Sequence, residues 1–189
     1  VQGVMMFFAI IMVPLAGAYM LGGISPTYEA IYILNPEYFN PFSKPDGSMF
    51  SVIEIISLLA WGLGYFGQPH ILVRFMAIRS SDEIKQATKI AMTWVVLSLI
   101  ASVLVGLVGR VFLPTVLEGT DVETVFMVMT HQLFSPFVAG LVLSAVLAAI
   151  MSTASSQLLV AASAFAQDFY KSLIHKEASD KELVWTSRT

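Results

Sequence analysis

One hydrophobic stretch of this chain is long enough to cross a membrane, yet it contains residues that interrupt helices. Residues 49–78 are predominantly apolar, but Gly62, Gly64, Gly67 and Pro69 lie within the run. A lipid-facing break in a helix leaves backbone N–H and C=O groups unpaired, at a cost of several kcal/mol each. We therefore expect this break to face protein or a water-filled cavity, as in secondary transporters that bind solutes near the bilayer midplane.

The composition of the whole chain agrees with a membrane location. Hydrophobic residues make up 57% of the chain and charged residues 12%, and the mean hydropathy is +0.78. Apolar runs of about 20 residues, the length that crosses a hydrocarbon core, recur along it. We predict an all-α integral membrane protein, with residues 1–189 forming a single membrane domain of about four transmembrane helices. The predicted spans are residues 4–21, 49–78 with the break near 62–69, 90–113 and 137–166.

The positive charges predict an orientation for these spans. Most of the ten Lys and Arg residues lie in or beside residues 79–89 and 167–189. The positive-inside rule makes these two segments cytoplasmic, so residues 22–48 and 114–136 become outer loops. The chain opens without Met and already within an apolar run, and we therefore expect it to be a fragment of a longer protein.

Aromatic residues accompany the interruption of the second span. In an uninterrupted helix, Trp61, Tyr65 and Pro69 would share one face. Flat apolar rings with polar tips suit a small solute, and Gly62 and Gly64 permit close approach and unusual backbone dihedral angles. The alternative is a packing kink filled by aromatics, since Gly and Pro are common in membrane helices. The motif alone leaves both explanations open.

A second motif of small and hydroxyl residues lies in the fourth span. Ala149, Ser152 and Thr153 stand at positions i, i+3 and i+4 and share a helical stripe. One carbonyl and two hydroxyls are ligands that Na⁺ accepts, and unwound carbonyls on another helix could complete such a site. The alternative is ordinary helix packing by small residues, with the hydroxyls bonded to their own helix. From spacing alone, packing is the more frequent explanation.

Other polar residues give weaker signals. We expect Arg74 to extend towards the cytoplasmic interface and Glu54, near the outer end of its span, to be solvated. The sequence has no His, Asp and Glu spacing typical of a metal site and no recognisable catalytic set, so enzymatic activity is not predicted. It also lacks a basic patch interleaved with aromatic residues, so nucleic-acid binding is not predicted.

The two motifs resemble those of a known family. Residues 61–75 (WGLGYFGQPHILVRF) and 147–160 (LAAIMSTASSQLLV) closely resemble the sodium/solute symporter family, and within it the bacterial sodium/proline symporters. The resemblance extends from Val1 to KELVW at the end of the chain. It implies a leucine-transporter-like bundle of two inverted five-helix repeats, of which the predicted spans would be core helices five to eight. The first core helix would be missing, and the role of loop 22–48 stays open.

This resemblance implies sodium-coupled import of L-proline across a bacterial inner membrane. Na⁺ would be the coupling ion, without an organic cofactor, and the partners would be proline, the lipid bilayer and the missing helices of the same protein. Two alternatives remain: a sodium symporter for another small organic solute, and a transporter-like sensor module of a signalling kinase. The implied solute-binding residues are Trp61, Tyr65, Pro69, Gly62 and Gly64, and the implied sodium ligands are Ala149, Ser152 and Thr153.

Overall fold

The computed structural model describes residues 2–187, including every side chain in this range except those of Tyr65 and Phe66. Within it every regular element is helical, apart from an isolated bridge between Ser43 and Met49. The predicted all-α class is confirmed. The α-helices are α1 (Gln2–Met20), α2 (Ile24–Leu34), α3 (Val52–Leu63), α4 (Pro69–Met76), α5 (Ser81–Phe112), α6 (Val125–Leu133), α7 (Pro136–Ala164) and α8 (Asp180–Thr186).

Three stretches of the described chain are helical, apolar and long enough to cross a membrane. They are Gln2–Met20, Ser81–Phe112 and Pro136–Ile174, the last of which combines α7 with a π-helix over Phe165–Ile174. The predicted second span is divided into α3, of 12 residues, and α4, of 8 residues. Each is shorter than a span, so the count of four spans and their orientation stay predictions.

The break between α3 and α4 has a local cause at Pro69. This residue occupies the first turn of α4, where a missing N–H costs no helical hydrogen bond. The preceding Gln68 is extended, with φ −76° and ψ 113°, because the proline ring disfavours a helical conformation before it. Residues Gly64–Gly67 form a 3-10 helix between the two α-helices.

The glycines of the break, which permit unusual backbone dihedral angles, have ordinary ones in the structure. Gly62 lies in α3, and Gly64 has helical angles of φ −61° and ψ −26°. Within the described residues, positive φ values occur at Gly22, Gly23, Gly47 and Gly119. A Cβ added to Gly62 or Gly64 would meet nothing within 4 Å. The space beside both glycines leaves room for close approach by a solute or by a helix outside this chain.

Met129 of α6 is at the centre of the helix bundle. It is 0% exposed, and its side chain approaches Gly17 of α1 and Gly109 of α5. Small residues at such crossings let helix backbones approach closely. A Cβ on Gly109 would lie 2.6 Å from Val125 Cγ2 and 3.0 Å from Met129 Sδ. The surrounding buried core consists of Ala9, Val13, Val105, Val108, Val142 and Ala145.

After α7, the chain folds back through a short hairpin centred on Glu182 of α8. The Tyr170 hydroxyl donates to Glu182 Oε1 over 2.7 Å, and His175 Nδ1 lies 2.9 Å from the same oxygen. These two hydrogen bonds, with Tyr170 the larger contributor, hold the pKa of Glu182 below its ordinary value of 4.5. A lowered carboxyl pKa means a stabilising contribution that is present above about pH 4.5 and is lost as pH falls through the folded-state pKa.

Glu182→Gln is expected to loosen this hairpin, because it removes the charge that strengthens both hydrogen bonds. Trypsin cleavage after Lys176, in the turn of the hairpin, should become about threefold to tenfold faster at pH 8 in the full-length protein. Asp180→Asn is the matched control, since it removes a carboxylate from the same helix without touching Tyr170 or His175. Equal cleavage rates in the two variants would show that Glu182 does not hold the hairpin.

Candidate functional site

The predicted solute-binding residues are distributed over the break. Trp61 and Gly62 belong to the end of α3, Gly64 begins the 3-10 helix, and Pro69 begins α4. Because the helix is interrupted, Trp61 and Pro69 lie on different helices, and the single shared face of an uninterrupted helix does not form. Tyr65 is in the 3-10 helix, but its side chain lies outside the described residues.

The α3 end of the break is open within this part of the protein. Trp61 is 72% exposed, and none of the described side chains of α3 is buried. An indole with this much exposed surface has area for contact with a solute or another helix. The described residues therefore leave the Trp61 indole exposed at the break, and its assignment to a solute site stays a prediction.

The predicted sodium ligands lie together in the second half of α7. Ala149 and Ser152 are half-buried, whereas Thr153 is exposed. Ala149 and Thr153 line an open groove of about 430 Å³. Ala149 also lines an apolar cavity of about 310 Å³ between α1, α5, α6 and α7. The motif thus borders the bundle interior on one side and an uncovered groove on the other.

The Thr153 hydroxyl differs from the other threonine hydroxyls in the described α-helices. Each of the others donates to the carbonyl four residues earlier, at 2.7–2.9 Å. Thr153 makes no such bond to Ala149 within the described chain, and the Ser152 hydroxyl makes no hydrogen bond there either. The packing explanation expects hydroxyls bonded to their own helix. Here the hydroxyl oxygens and the second lone pair of the Ala149 carbonyl are available to a ligand.

A ligand bound at this motif would meet neutral oxygens. The described residues contain no group of three or more His, Cys, Asp or Glu that could hold a metal ion. Without carboxylates, a divalent cation has little compensation for losing its water. A monovalent hard cation such as Na⁺ fits the donor set better, and neutral ligands hold it weakly enough for release.

Arg74 connects the two motifs. Its Nη2 donates to Ser156 Oγ over 3.2 Å, and Ser156 Oγ donates to the Ser152 carbonyl over 2.9 Å. Arg74 is in α4, directly after the break, and Ser156 is one turn beyond Ser152 on α7. We expected Arg74 to extend towards the cytoplasmic interface, which stays a prediction; in the structure its side chain joins these two helices. The partners are 82 positions apart, so no local pattern could predict their contact.

Arg74→Gln is expected to weaken the connection between the motifs and to change the apparent affinities for both ligands of the full-length protein. A shift of about threefold to tenfold in each corresponds to the roughly 1 kcal/mol of one charge-assisted hydrogen bond. Ser156→Ala should reproduce the change. Arg79→Gln, which removes a positive charge five residues further along the chain, is the control. If Arg79→Gln has the same effect as Arg74→Gln, only the loss of positive charge matters.

The geometry can be compared with known proteins. The high-affinity proline transporter PutP of Bacillus subtilis (strain 168) is 49% identical over 189 residues, covering 100% of this chain and 39% of that protein. The osmoregulated proline transporter OpuE of the same organism is 46% identical over 189 residues, covering 100% of this chain and 37% of that protein. The sodium/proline symporter of Escherichia coli (strain K12) is 43% identical over 193 residues, covering 100% of this chain and 38% of that protein.

The chain thus spans less than two fifths of the length of these relatives. No solved structure matches it. The sequence model of the sodium:solute symporter family matches residues 1–189, the whole chain. Together with the long apolar helices, this match makes the chain part of a membrane protein, and it belongs to the sodium:solute symporter family.

Proposed function

We propose that the full-length protein imports L-proline across a bacterial inner membrane, driven by inward flow of Na⁺. The observation that carries this proposal is similarity along the entire chain, at 43–49% identity, to bacterial proteins named as proline transporters or sodium/proline symporters. A family that couples solutes to sodium supplies the same coupling ion.

Sodium would bind at the motif on α7. The Ala149 carbonyl and the Ser152 and Thr153 hydroxyls would coordinate it, and helices outside this chain would supply the remaining oxygens. The Thr153 hydroxyl, which has no hydrogen-bond partner among the described residues, supports this assignment, because the ligand oxygen does not first have to give up a bond to them.

Proline would bind beside the break. The exposed Trp61 indole and the Tyr65 ring would cover its apolar ring, and Gly62 and Gly64 would let it approach the backbone. Pro69 starts a new helix, and the interruption it causes provides polar backbone groups close to the solute. Such groups at a helix break can meet both charged ends of an amino acid.

Coupling requires that both ligands favour the same conformation of one shared element. The hydrogen-bonded path from Arg74 through Ser156 to the Ser152 carbonyl joins α4 to α7. Sodium at α7 would thereby bias the position of α4, and proline at the break would bias the position of Ser152. Such reciprocity is a thermodynamic requirement for two linked binding sites.

This proposal assigns the protein no catalytic residue and no organic cofactor. Its partners would be the solute, Na⁺, the lipid bilayer and the remaining helices of the same protein. Binding of the two ligands would be followed by alternating access, in which the helix bundle opens to one side of the membrane at a time.

Uptake of labelled proline by the full-length protein in proteoliposomes tests the function directly. We expect proline uptake to depend on an inward sodium gradient. Other amino acids, pantothenate, carboxylates and sugars should inhibit this uptake only weakly. Uptake that is unchanged when choline replaces sodium would exclude sodium coupling. Strong competition by another solute, with little proline uptake, would point to a different substrate.

A further inference from the structure

Loop 35–51, between α2 and the broken helix, is held by its own hydrogen bonds. The Asn35 side chain accepts from Glu37 N over 3.0 Å and donates to the Pro45 carbonyl over 2.7 Å. Further along, Lys44 N donates to the Ser48 carbonyl over 2.7 Å. Asn35 also caps the end of α2. The loop is therefore a defined substructure attached to α2, rather than a loose connection.

One side chain of this loop reaches the first turn of α3. Lys44 Nζ lies 2.7 Å from Glu54 Oε1, and Glu54 Oε2 accepts from Ser51 N over 2.8 Å. Ser51 Oγ in turn accepts from Glu54 N, completing a capping box. Both oxygens of one carboxylate are thus engaged, one by the loop and one by the helix terminus. Glu54 was expected to be solvated; in the structure it is bonded and half-buried.

The aromatic ring of Phe50 also contacts the Lys44 cation, with Nζ 5.6 Å from the ring centroid. Exposed ion pairs in general contribute little to the free energy of unfolding. This pair has the additional hydrogen bond, cap and ring contact, and the side chains are only 33% and 43% exposed. Its role would be orientation of a helix more than overall stability.

The other end of α3 carries Trp61. Seven residues separate Trp61 from Glu54, which is about 10 Å along a helix at 1.5 Å per residue. A tilt of about 10° at the Glu54 end would therefore move Trp61 by about 2 Å, and displacements of this size at a binding group change affinity and rate strongly. Within this chain, none of the described side chains of α3 is buried against the bundle. The Lys44 contact can therefore influence the direction of α3.

From these contacts we propose that Lys44 is a positioning residue for the solute site: through Glu54 it sets the direction of α3 and thereby the place of Trp61. This inference rests on the proposed function and extends it to the outer loop, for which the sequence suggested no role. The pair stays charged in ordinary assays, because the hydrogen bond to Glu54 raises the pKa of Lys44. Its contribution is lost as pH rises through the raised lysine pKa, and also as pH falls through the pKa of Glu54, which the hydrogen bond to Lys44 lowers to about 2.

The test compares Lys44→Met, Lys44→Arg and Glu54→Gln in the full-length protein. Lys44→Met should raise the proline concentration for half-maximal uptake by about threefold to tenfold, with a smaller change in the sodium requirement, because coupling transmits only part of the effect. Lys44→Arg should keep the normal proline concentration for half-maximal uptake. Glu54→Gln retains the capping box but loses the ion pair, so it should match Lys44→Met, and the double variant should be no worse than either.

Arg110→Met, which removes a cation from the end of α5, is the control and should leave proline affinity unchanged. The proposal is overturned if Lys44→Met leaves the affinity for proline unchanged, if Lys44→Arg is equally impaired, or if the Lys44 and Glu54 effects add. It is also overturned if every kinetic parameter falls in parallel with the amount of folded protein, because that is the result of a purely structural role.

A second readout separates failure of this inference from failure of the proposed function. Without sodium-dependent proline uptake by the unaltered protein, the proposed function fails, but hydrogen exchange at the start of α3 still tests the contact. Amides of residues 50–58 should exchange faster in Lys44→Met and Glu54→Gln than in Lys44→Arg. Identical exchange in all three would show that Lys44 does not hold α3.

Discussion

Thr153→Val should raise the sodium concentration needed for half-maximal proline uptake by about tenfold to hundredfold, equivalent to roughly 1.4–2.8 kcal/mol. Valine has nearly the shape of threonine but lacks the oxygen, so the substitution removes a ligand and keeps the packing. The hydroxyl of Thr153 makes no hydrogen bond within the described chain, so its removal should leave no buried partner unsatisfied. The measurement is uptake by the full-length protein over a range of sodium concentrations at fixed proline.

Two variants control for this experiment. Thr153→Ser keeps the hydroxyl and should retain a sodium requirement within about threefold of normal. Thr93→Val removes a hydroxyl that donates to the Lys89 carbonyl of its own helix, so it should leave the sodium requirement unchanged. A large shift in Thr93→Val would mean that loss of any helix hydroxyl perturbs the carrier.

The effect should differ from that of a change at the break. Trp61→Ala is expected mainly to weaken the binding of proline, because it removes an aromatic surface and leaves the oxygens of α7 intact. Coupling transmits part of each effect to the other ligand, so the informative quantity is which affinity changes more. Equal losses for sodium and proline in both variants would contradict two separate binding motifs.

Gly109→Val should prevent normal packing of the bundle. A Cβ at this position would lie 2.6 Å from Val125 Cγ2 and 3.0 Å from Met129 Sδ. Overpacking of a core commonly costs about 1–3 kcal/mol, and a branched side chain at these distances should be near or above the upper value. The expected result is a lowered midpoint of thermal unfolding in detergent and a smaller folded fraction of the full-length protein.

Gly106→Val is the matched control for this substitution. Gly106 lies one turn earlier on α5, where an added Cβ would meet nothing within 4 Å. The two variants therefore have the same change in helix propensity and differ in the space available. Similar unfolding midpoints for both would show that the close approach of α5 and α6 at Gly109 does not limit stability.

Much of the helical architecture was predictable because its causes are local. The lengths of the apolar runs predict α1, α5 and α7, and the helical class was confirmed. Pro69 interrupts the second predicted span because its ring restricts Gln68, its immediate neighbour. The dihedral angles of Gly62 and Gly64 were not predictable in the same way, since glycine permits unusual angles without requiring them.

For the candidate site, the sequence predicted only which residue types lie on the same side of a helix. A helical repeat places Ala149, Ser152 and Thr153 together, but it cannot tell whether their hydroxyls bond their own helix. Hydroxyl orientation depends on side-chain rotamers and on the groups around them, and the Thr153 hydroxyl has no hydrogen-bond partner among the residues that the structure describes. The assignment of these residues to sodium, and of the break to proline, stays a prediction.

Helix length, the interruption at Pro69 and the family motifs thus follow from residues that are close in the chain. The tertiary structure alone decided which distant residues meet: Met129 between the glycines of α1 and α5, and Arg74 against Ser156. The physical reason is that hydrophobic periodicity specifies which side of a helix is apolar, whereas the choice of neighbour depends on the packing of complementary surfaces. Of these long-range contacts, the one between Arg74 and Ser156 joins the helix after the break to α7.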